Sequence, residues 1–328
     1  MFEGILVNAL ILVASLIVLN KASHLTITNS VKVADITGFG KTTIGFILVA
    51  FSTSLPELSV SIFSAVGGGA VGVAIGNALG SNIANVCLIL GVCILMATFK
   101  NARTIKLVPV MTKEEFGSLH FGLFIASIIP LTLLYIGDIG YASRFIGIIL
   151  LVIFILYIYQ LSKVRTIKEE ASLGGESQKL PRYSFWAFVG AVGVVASSYF
   201  IVDSATYIAL EVKVPRVVIG ATIVAFGTSV PELATSVEAA RQGHLDLAFG
   251  NIIGSCFINI TCILGVTLIA TQLLVDMGAF ADLVMFSLIA NLFLWYFLSS
   301  ERIGRREGGV LLFIYLLFLA ISFSGYRR

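Results

Sequence analysis

Residues 49–58 read VAFSTSLPEL and residues 224–233 read VAFGTSVPEL. Each places a glutamate directly after a proline, inside an apolar run long enough to cross the ~30 Å hydrocarbon layer of a bilayer. Glu57 lies 16 residues past Lys41, about 24 Å along a helix at 1.5 Å per residue. An ionisable side chain at that depth costs ~3 kcal/mol or more and by default marks a functional site. The proline adds a second constraint. Pro56 cannot donate to the carbonyl of Ser52, nor Pro231 to that of Gly227, so each helix is expected to kink or break just ahead of its glutamate. Carbonyls freed in this way are tolerated in lipid only where they face protein or a wet cavity. Ser54-x-x-Glu57 and Ser229-x-x-Glu232 also have the form of capping boxes opening the second half-helix. That describes local geometry without explaining a carboxylate so far from water.

Composition agrees with a membrane setting. Of 328 residues, 58% are hydrophobic and 12% charged, whereas charged residues approach a quarter of a soluble domain. The pattern predicts an all-α polytopic membrane protein with ten transmembrane helices, at about 4–20, 42–66, 71–97, 117–136, 143–162, 184–207, 216–240, 245–271, 278–299 and 308–325. The start MFEG lacks a basic n-region, so the first run reads as a retained span rather than a removable signal peptide. Ten spans put both termini on one side and the loops 21–41, 98–116, 163–183, 241–244 and 300–307 on the other. That second side carries 16 of the 21 Lys and Arg residues, against 5 on the termini side. Basic residues favour the cytoplasm, so a multi-pass protein of the cell (inner) membrane with both termini extracellular or periplasmic is expected. The bases are spread over short loops, and nucleic acid is not an expected partner. Cys87, Cys93, Cys256 and Cys262 fall singly in apolar runs and read as packed free thiols.

The chain repeats itself. IGFILVAFSTSLPELSVSI (44–62) and IGATIVAFGTSVPELATSV (219–237) share 11 of 19 residues; VAIGNALGSNIANVCLILG (73–91) and LAFGNIIGSCFINITCILG (247–265) share 9 of 19. Identity concentrates at Thr, Ser, Glu, Asn and Gly while apolar positions drift, which points to a site rather than to lipid-facing surface. The expected organisation is a first five-helix repeat at 1–162, a cytoplasmic linker at 163–183 and a second five-helix repeat at 184–328. An odd number of spans per half makes the two repeats inverted, an architecture of secondary transporters with the site at the midplane.

The chemistry of the site follows from its donors. Glu57 and Glu232 supply two carboxylates, and Thr53, Ser54, Thr228 and Ser229 supply hydroxyls at the breaks. The second block adds Asn77, Ser81 and Asn85, and Asn251, Ser255 and Asn259. Ser81 and Asn85 are four apart on one helix face, as are Ser255 and Asn259. Gly76 and Gly80, like Gly250 and Gly254, have GxxxG spacing suited to close helix approach. Hard oxygen donors without His or Cys suit Ca²⁺ or Na⁺ rather than zinc or copper. Two ionised glutamates balance one Ca²⁺ or two Na⁺, the interchangeability an exchanger requires.

Paired TSxPE motifs, each followed by a GNxxGS block, resemble the alpha repeats of the cation/Ca²⁺ exchanger superfamily, in particular a prokaryotic Na⁺/Ca²⁺ exchanger. The resemblance covers essentially the whole chain. It implies ion ligands on the second, third, seventh and eighth helices. Carried onto this chain, these are Glu57, Glu232, Thr53, Ser54, Thr228, Ser229, Ser81, Asn85, Ser255 and Asn259, joined by the backbone carbonyls of Ala50 and Ala225. It further implies an antiporter with Ca²⁺ and Na⁺ as substrates, no cofactor, and a monomer sufficient for transport. Ser52 replaces a glycine usual in the first motif. Asn259 stands where several prokaryotic and K⁺-dependent relatives carry aspartate, which argues against K⁺ co-transport. The loop at 163–183 is too short for a Ca²⁺-sensing module.

H⁺/Ca²⁺ and K⁺-dependent Na⁺/Ca²⁺ exchange stay open as alternatives from the residues themselves. A cation channel and an intramembrane enzyme are rivals of a different class. The enzyme lacks support in the sequence, with neither HExxH nor GxGD present, and acids repeated symmetrically suit a binding site between halves.

Overall fold

A computed structural model describes residues 4–37, 53–66, 71–101, 104–106, 123–134, 139–164, 179–241, 245–270, 275–299 and 302–324. Within them the first helix, α1 (Ile5–Thr37), is far longer than the expected span 4–20. Its continuation LTITNSVKVADIT is polar enough to read as a loop, and the helix is nevertheless maintained. The second predicted span appears only as its C-terminal part, α2 (Leu55–Val66); residues 42–52 of that span lie outside the described residues. Next comes α3 (Val71–Ile83), which passes through a π-helical turn, Ala84–Leu90, into α4 (Gly91–Asn101). The short strand β1 (Thr104–Lys106), the short apolar helix α5 (Leu123–Leu134) and α6 (Ile139–Val164) follow.

The second half opens with α7 (Leu180–Glu211), which has Pro181 in its first turn, where the missing N–H costs nothing. The predicted seventh span is two helices, α8 (Arg216–Thr228) and α9 (Val230–Arg241), bent by 48°. Helix α10 (Leu245–Ile258) continues through a π-helical turn, Asn259–Ile263, into α11 (Leu264–Ala270). Helix α12 (Met277–Ser299), strand β2 (Arg302–Gly304) and α13 (Arg305–Ser324) complete the described residues.

Among the described residues, seven helices are long and apolar enough to cross a membrane, or eight with the bent pair counted as one span. Two shorter apolar helices fall at the second and fourth predicted spans. The described residues are helical in their regular structure apart from β1 and β2, which were not expected from the sequence. These strands pair antiparallel, Ile105 opposite Ile303. Pairing requires the loops after α4 and before α13 to lie at one end of the bundle, as the ten-span reading has them. Glu307 accepts from the Gly304 amide at 2.7 Å and fixes the start of α13.

Burial sorts the helices into layers. Of the most apolar 18 residues in Val71–Thr98 and in Ala248–Ala270, 78% and 83% are buried, against 22% in Ile5–Thr26 and 22% in Tyr141–Tyr159. The α3–α4 and α10–α11 segments are therefore the centre of the molecule. The outer helices expose large apolar residues such as Leu6, Phe145, Phe188 and Phe313, as a lipid-facing surface does. Two hydrophobic clusters result. The larger draws on α3–α6 and α8–α13, and includes Phe249, Phe257 and Phe280. The smaller joins Leu12 and Leu19 of α1 to Ile201 and Ala205 of α7, with Val60, Val73 and Val224 beneath.

Glycines let the central helices touch. A Cβ on Gly76 or Gly80 would run into the backbone of Val217 or Ala221 on α8, so packing fully accounts for that GxxxG pair. Gly91 of α4 meets Gly308 of α13, and Gly265 of α11 meets Gly147 of α6. Gly91 and Gly265 are the matched last positions of the repeated block. The four cysteines are free thiols, all buried.

Candidate functional site

The break in the second half lies where the proline places it. Helix α8 ends at Thr228, Ser229 turns out of helical geometry at φ −83°, ψ 9°, and α9 opens with Val230, Pro231 and Glu232. On the far side of the break the Leu233 amide donates to Ser229 O at 3.0 Å, and in the first half the Leu58 amide donates to Ser54 O at the same distance. Thus Glu57 and Glu232 both sit in the first turn of a short helix, each fully buried. Acidic groups suit a helix N-terminus, where unpaired amides and the helix dipole favour negative charge.

The two glutamates are held crosswise. Ser229 of the second half donates to Glu57 Oε1 at 3.0 Å. Ser54 of the first half donates to Glu232 Oε1 at 3.4 Å, and Ser255 adds a donor to the same oxygen at 3.3 Å. Thr53 and Ser255 hydroxyls lie 3.4 Å apart. The contacts around Glu232 are long for O–H···O bonds, whose usual range ends near ~3.0 Å. Each carboxylate keeps its second oxygen, Oε2, buried with no hydrogen-bond partner among the described residues.

Asn85 and Asn259 complete the picture. Both are fully buried, and neither their Oδ1 nor their Nδ2 atoms have a partner among the described residues. Asn85 lies within the π-helical turn Ala84–Leu90, and Asn259 opens the turn Asn259–Ile263. Such a turn adds a residue to the helical period and re-aims the side chains that follow, a feature concentrated at functional sites. Nothing in the sequence signalled the π turns. A buried amide left unpaired costs about 1–3 kcal/mol. The turn Ala84–Leu90 packs against α9, which Glu232 opens, and Asn259–Ile263 packs against α2, which Glu57 opens, so contacting elements carry a polar cage with free oxygen valences.

The remaining predicted residues are brought together with different partners. Thr228 donates to Asn77 Oδ1 at 3.0 Å and to Ala225 O at 3.2 Å. The Ala225 carbonyl also accepts from the Ser229 amide at 3.0 Å and lies 3.5 Å from Ser81 Oγ; it is engaged by protein donors here. Ala50 lies outside the described residues. Asn77 donates to Glu57 O at 3.1 Å and Ser61 Oγ at 3.2 Å. Asn251 donates to Thr235 Oγ1 and Ser236 Oγ, both at 3.1 Å. The Gly227 carbonyl, freed by Pro231, accepts from Asn20 Nδ2 of α1 at 3.2 Å. Asn20 carries no repeat signature; its only sequence signal is an amide inside an apolar run.

Other polar residues serve structure. Asp276 Oδ1 accepts from the Ala279 amide at 2.8 Å and caps α12, and Glu238 and Arg241 pair at 3.8 Å on the exposed end of α9. Among the described residues no group of three or more His, Cys, Asp or Glu side chains is placed to hold a metal ion. The cage has two carboxylates, and its other donors are neutral.

Residues 7–163 and 183–324 match the sequence model of the sodium/calcium exchanger protein family. The sodium/calcium exchanger MaX1 of Methanosarcina acetivorans is 30% identical over 357 aligned positions, covering 97% of this chain and 99% of that one. The solved structure of the sodium-calcium exchanger NCX_Mj, soaked with 10 mM Na⁺ and zero Ca²⁺, superposes with a TM-score of 0.62 at 28% identity, covering 98% of this chain and 100% of that one. An H⁺/Ca²⁺ exchanger, CAX, shares the fold at a TM-score of 0.76 and 17% identity, over 98% of this chain and 87% of that one.

Proposed function

This chain belongs to the sodium/calcium exchanger protein family, whose named relatives are transporters rather than enzymes, and from that premise we propose that it exchanges Na⁺ for Ca²⁺ across the cell membrane by alternating access. The observation that carries this reading is the cage. The Oε2 atoms of Glu57 and Glu232 and the amide oxygens of Asn85 and Asn259 are buried, oxygen-rich and unpartnered among the described residues. Oxygen donors of this kind suit Ca²⁺ and Na⁺. Two carboxylates balance one Ca²⁺ or two Na⁺, so each cargo competes for the same charge.

The ligand set is Glu57, Glu232, Asn85 and Asn259, with hydroxyls of Thr53, Ser54, Ser81, Thr228, Ser229 and Ser255 rotating to present oxygen. The Ala225 carbonyl, engaged here by the Ser229 amide and Thr228, joins when those donors release it, and Ala50 is its counterpart in the first half. No cofactor is required. The ten apolar segments form two inverted five-helix units, 1–162 and 184–328, joined by a cytoplasmic linker at 163–183. Both termini then face outward. The closely packed α3–α4 and α10–α11 segments stay fixed, and the α1–α7 pair, with its separate hydrophobic cluster, slides to change the side from which ions enter. A single chain contains the whole cage.

H⁺/Ca²⁺ exchange is the second reading, favoured by the shared fold with CAX. The experiment is ⁴⁵Ca²⁺ uptake into proteoliposomes with outward Na⁺, K⁺ or H⁺ gradients. Uptake driven by Na⁺ alone is expected. Uptake that needs a proton gradient and ignores Na⁺ would replace the Na⁺ assignment.

A further inference from the structure

Asn20 lies 15 residues into α1, about 22 Å from its start, and crosses the broken helix at Gly227. Its Nδ2 donates to Leu16 O of its own helix at 2.8 Å and to Gly227 O at 3.2 Å. The regular helical donor to that second carbonyl would be residue 231, which is proline. An acceptor stripped by the break is thus satisfied by a helix outside the central layer. Leu16, one turn before Asn20, covers the same spot: a Cβ on Gly227 would come within 3.0 Å of Leu16 Cγ, and closer still to its methyls. Leu16 and Asn20 together straddle Gly227, where a Cβ would oblige the Leu16 side chain to move.

Elsewhere α1 holds chiefly to α7. Their crossing is close enough that a Cβ on Gly190 would meet Ala22 O and Thr26 N at 2.8 Å. Contacts of α1 with α2, α8 and α9 are few by comparison. The Asn20–Gly227 bond is accordingly a discrete polar tie between the α1–α7 pair and α8, the first half of the broken span whose second half, α9, carries Glu232.

We propose that Asn20 is a positioning residue for transport, a latch that holds the α1–α7 pair in the register seen here by bonding the Gly227 carbonyl, and whose release accompanies the slide. This rests on the alternating-access reading. A single hydrogen bond biases a two-state equilibrium by roughly three- to tenfold. Removing it weights the access equilibrium against the latched register without touching the cage.

Sided transport tests the latch. In right-side-out and everted vesicles, Asn20→Leu and Asn20→Asp should move the apparent Ca²⁺ KM in opposite directions at the two faces, by roughly three- to tenfold. Losses of equal sign at both faces, or no change, would overturn it, because damage to the cage or fold moves both faces together. A second measurement does not depend on transport. Hydrogen exchange in detergent at the Ser229 and Leu233 amides, which flank the break, should accelerate several-fold in Asn20→Leu. Wild-type protection there would sink the latch whether or not the protein exchanges ions. Wild-type protein that exchanges no Ca²⁺, with exchange at those amides still accelerated in the variant, would instead fault the functional reading alone.

Discussion

On one side of the cage Asn77 donates to the Glu57 carbonyl and to Ser61, and accepts from Thr228 at 3.0 Å. On the other, the matching Asn251 donates to Thr235 and Ser236, and its Oδ1 has no partner among the described residues. The glutamates show the same contrast. Glu57 has one firm donor, Ser229 at 3.0 Å, while Glu232 has two long ones at 3.3 and 3.4 Å. Equal side chains at repeat-related positions therefore make a tight wall and a loose one. What decides between them is the placement of the other half: Thr228 closes on Asn77, whereas Thr53 lies against Ser255. On the proposed exchange of one divalent ion for several monovalent ones, such a reserve of unmade bonds has a use.

The sharpest way to break the comparison is to neutralise each carboxylate in turn. Glu57→Gln and Glu232→Gln should each lower Na⁺-driven ⁴⁵Ca²⁺ exchange by roughly 100-fold or more, about 2.7 kcal/mol or greater. Equal losses would mean that the tight and loose walls bind cargo alike. Survival of either variant at near wild-type rate would remove that glutamate from the ligand set. Next comes the packing behind the tight wall. Gly76→Ala drives a methyl into the Val217 carbonyl and should destabilise by about 1–3 kcal/mol, seen as a lower melting midpoint in detergent. Gly309→Ala, with nothing near its Cβ, should stabilise α13 by about 0.5–1 kcal/mol.

The asparagines divide the walls more finely. Asn77→Ala leaves a buried carbonyl and two hydroxyls short of partners and should cost about 2–3 kcal/mol, against about 1 kcal/mol for Asn251→Ala. Matching melting shifts in the two variants would deny that the walls differ. The smallest effect is expected at the crosswise serines. Ser229→Ala should raise the Ca²⁺ KM by roughly fivefold and Ser54→Ala by less, in keeping with their bond lengths. The reverse order would make the longer contact the more important one.

Much of this was legible in the residues. A proline followed by a glutamate in an apolar run predicts a broken helix with a buried carboxylate, and α8–α9 has both. The paired Ser81/Asn85 and Ser255/Asn259 positions were readable from i, i+4 spacing, and all four side chains are buried. The length of α1 was not legible, because tertiary support lets a polar stretch stay helical where propensity alone would end it. The β1–β2 pairing joins residues some 200 positions apart, and nothing local encodes it.

The sequence by itself named Glu57, Glu232 and the Thr, Ser and Asn residues expected around them, and the prolines that withhold a backbone donor beside each glutamate. Those facts follow from covalent chemistry: proline has no N–H, glutamate carries charge, and glycine has no Cβ. Only the tertiary structure decided where the released valences go. The Gly227 carbonyl turns to Asn20 on a distant helix, the Ala225 carbonyl is taken by Thr228 and the Ser229 amide, and the π turns carry Asn85 and Asn259. Each outcome depends on which partner other helices bring within about 3 Å, a distance that no spacing along one chain segment can set.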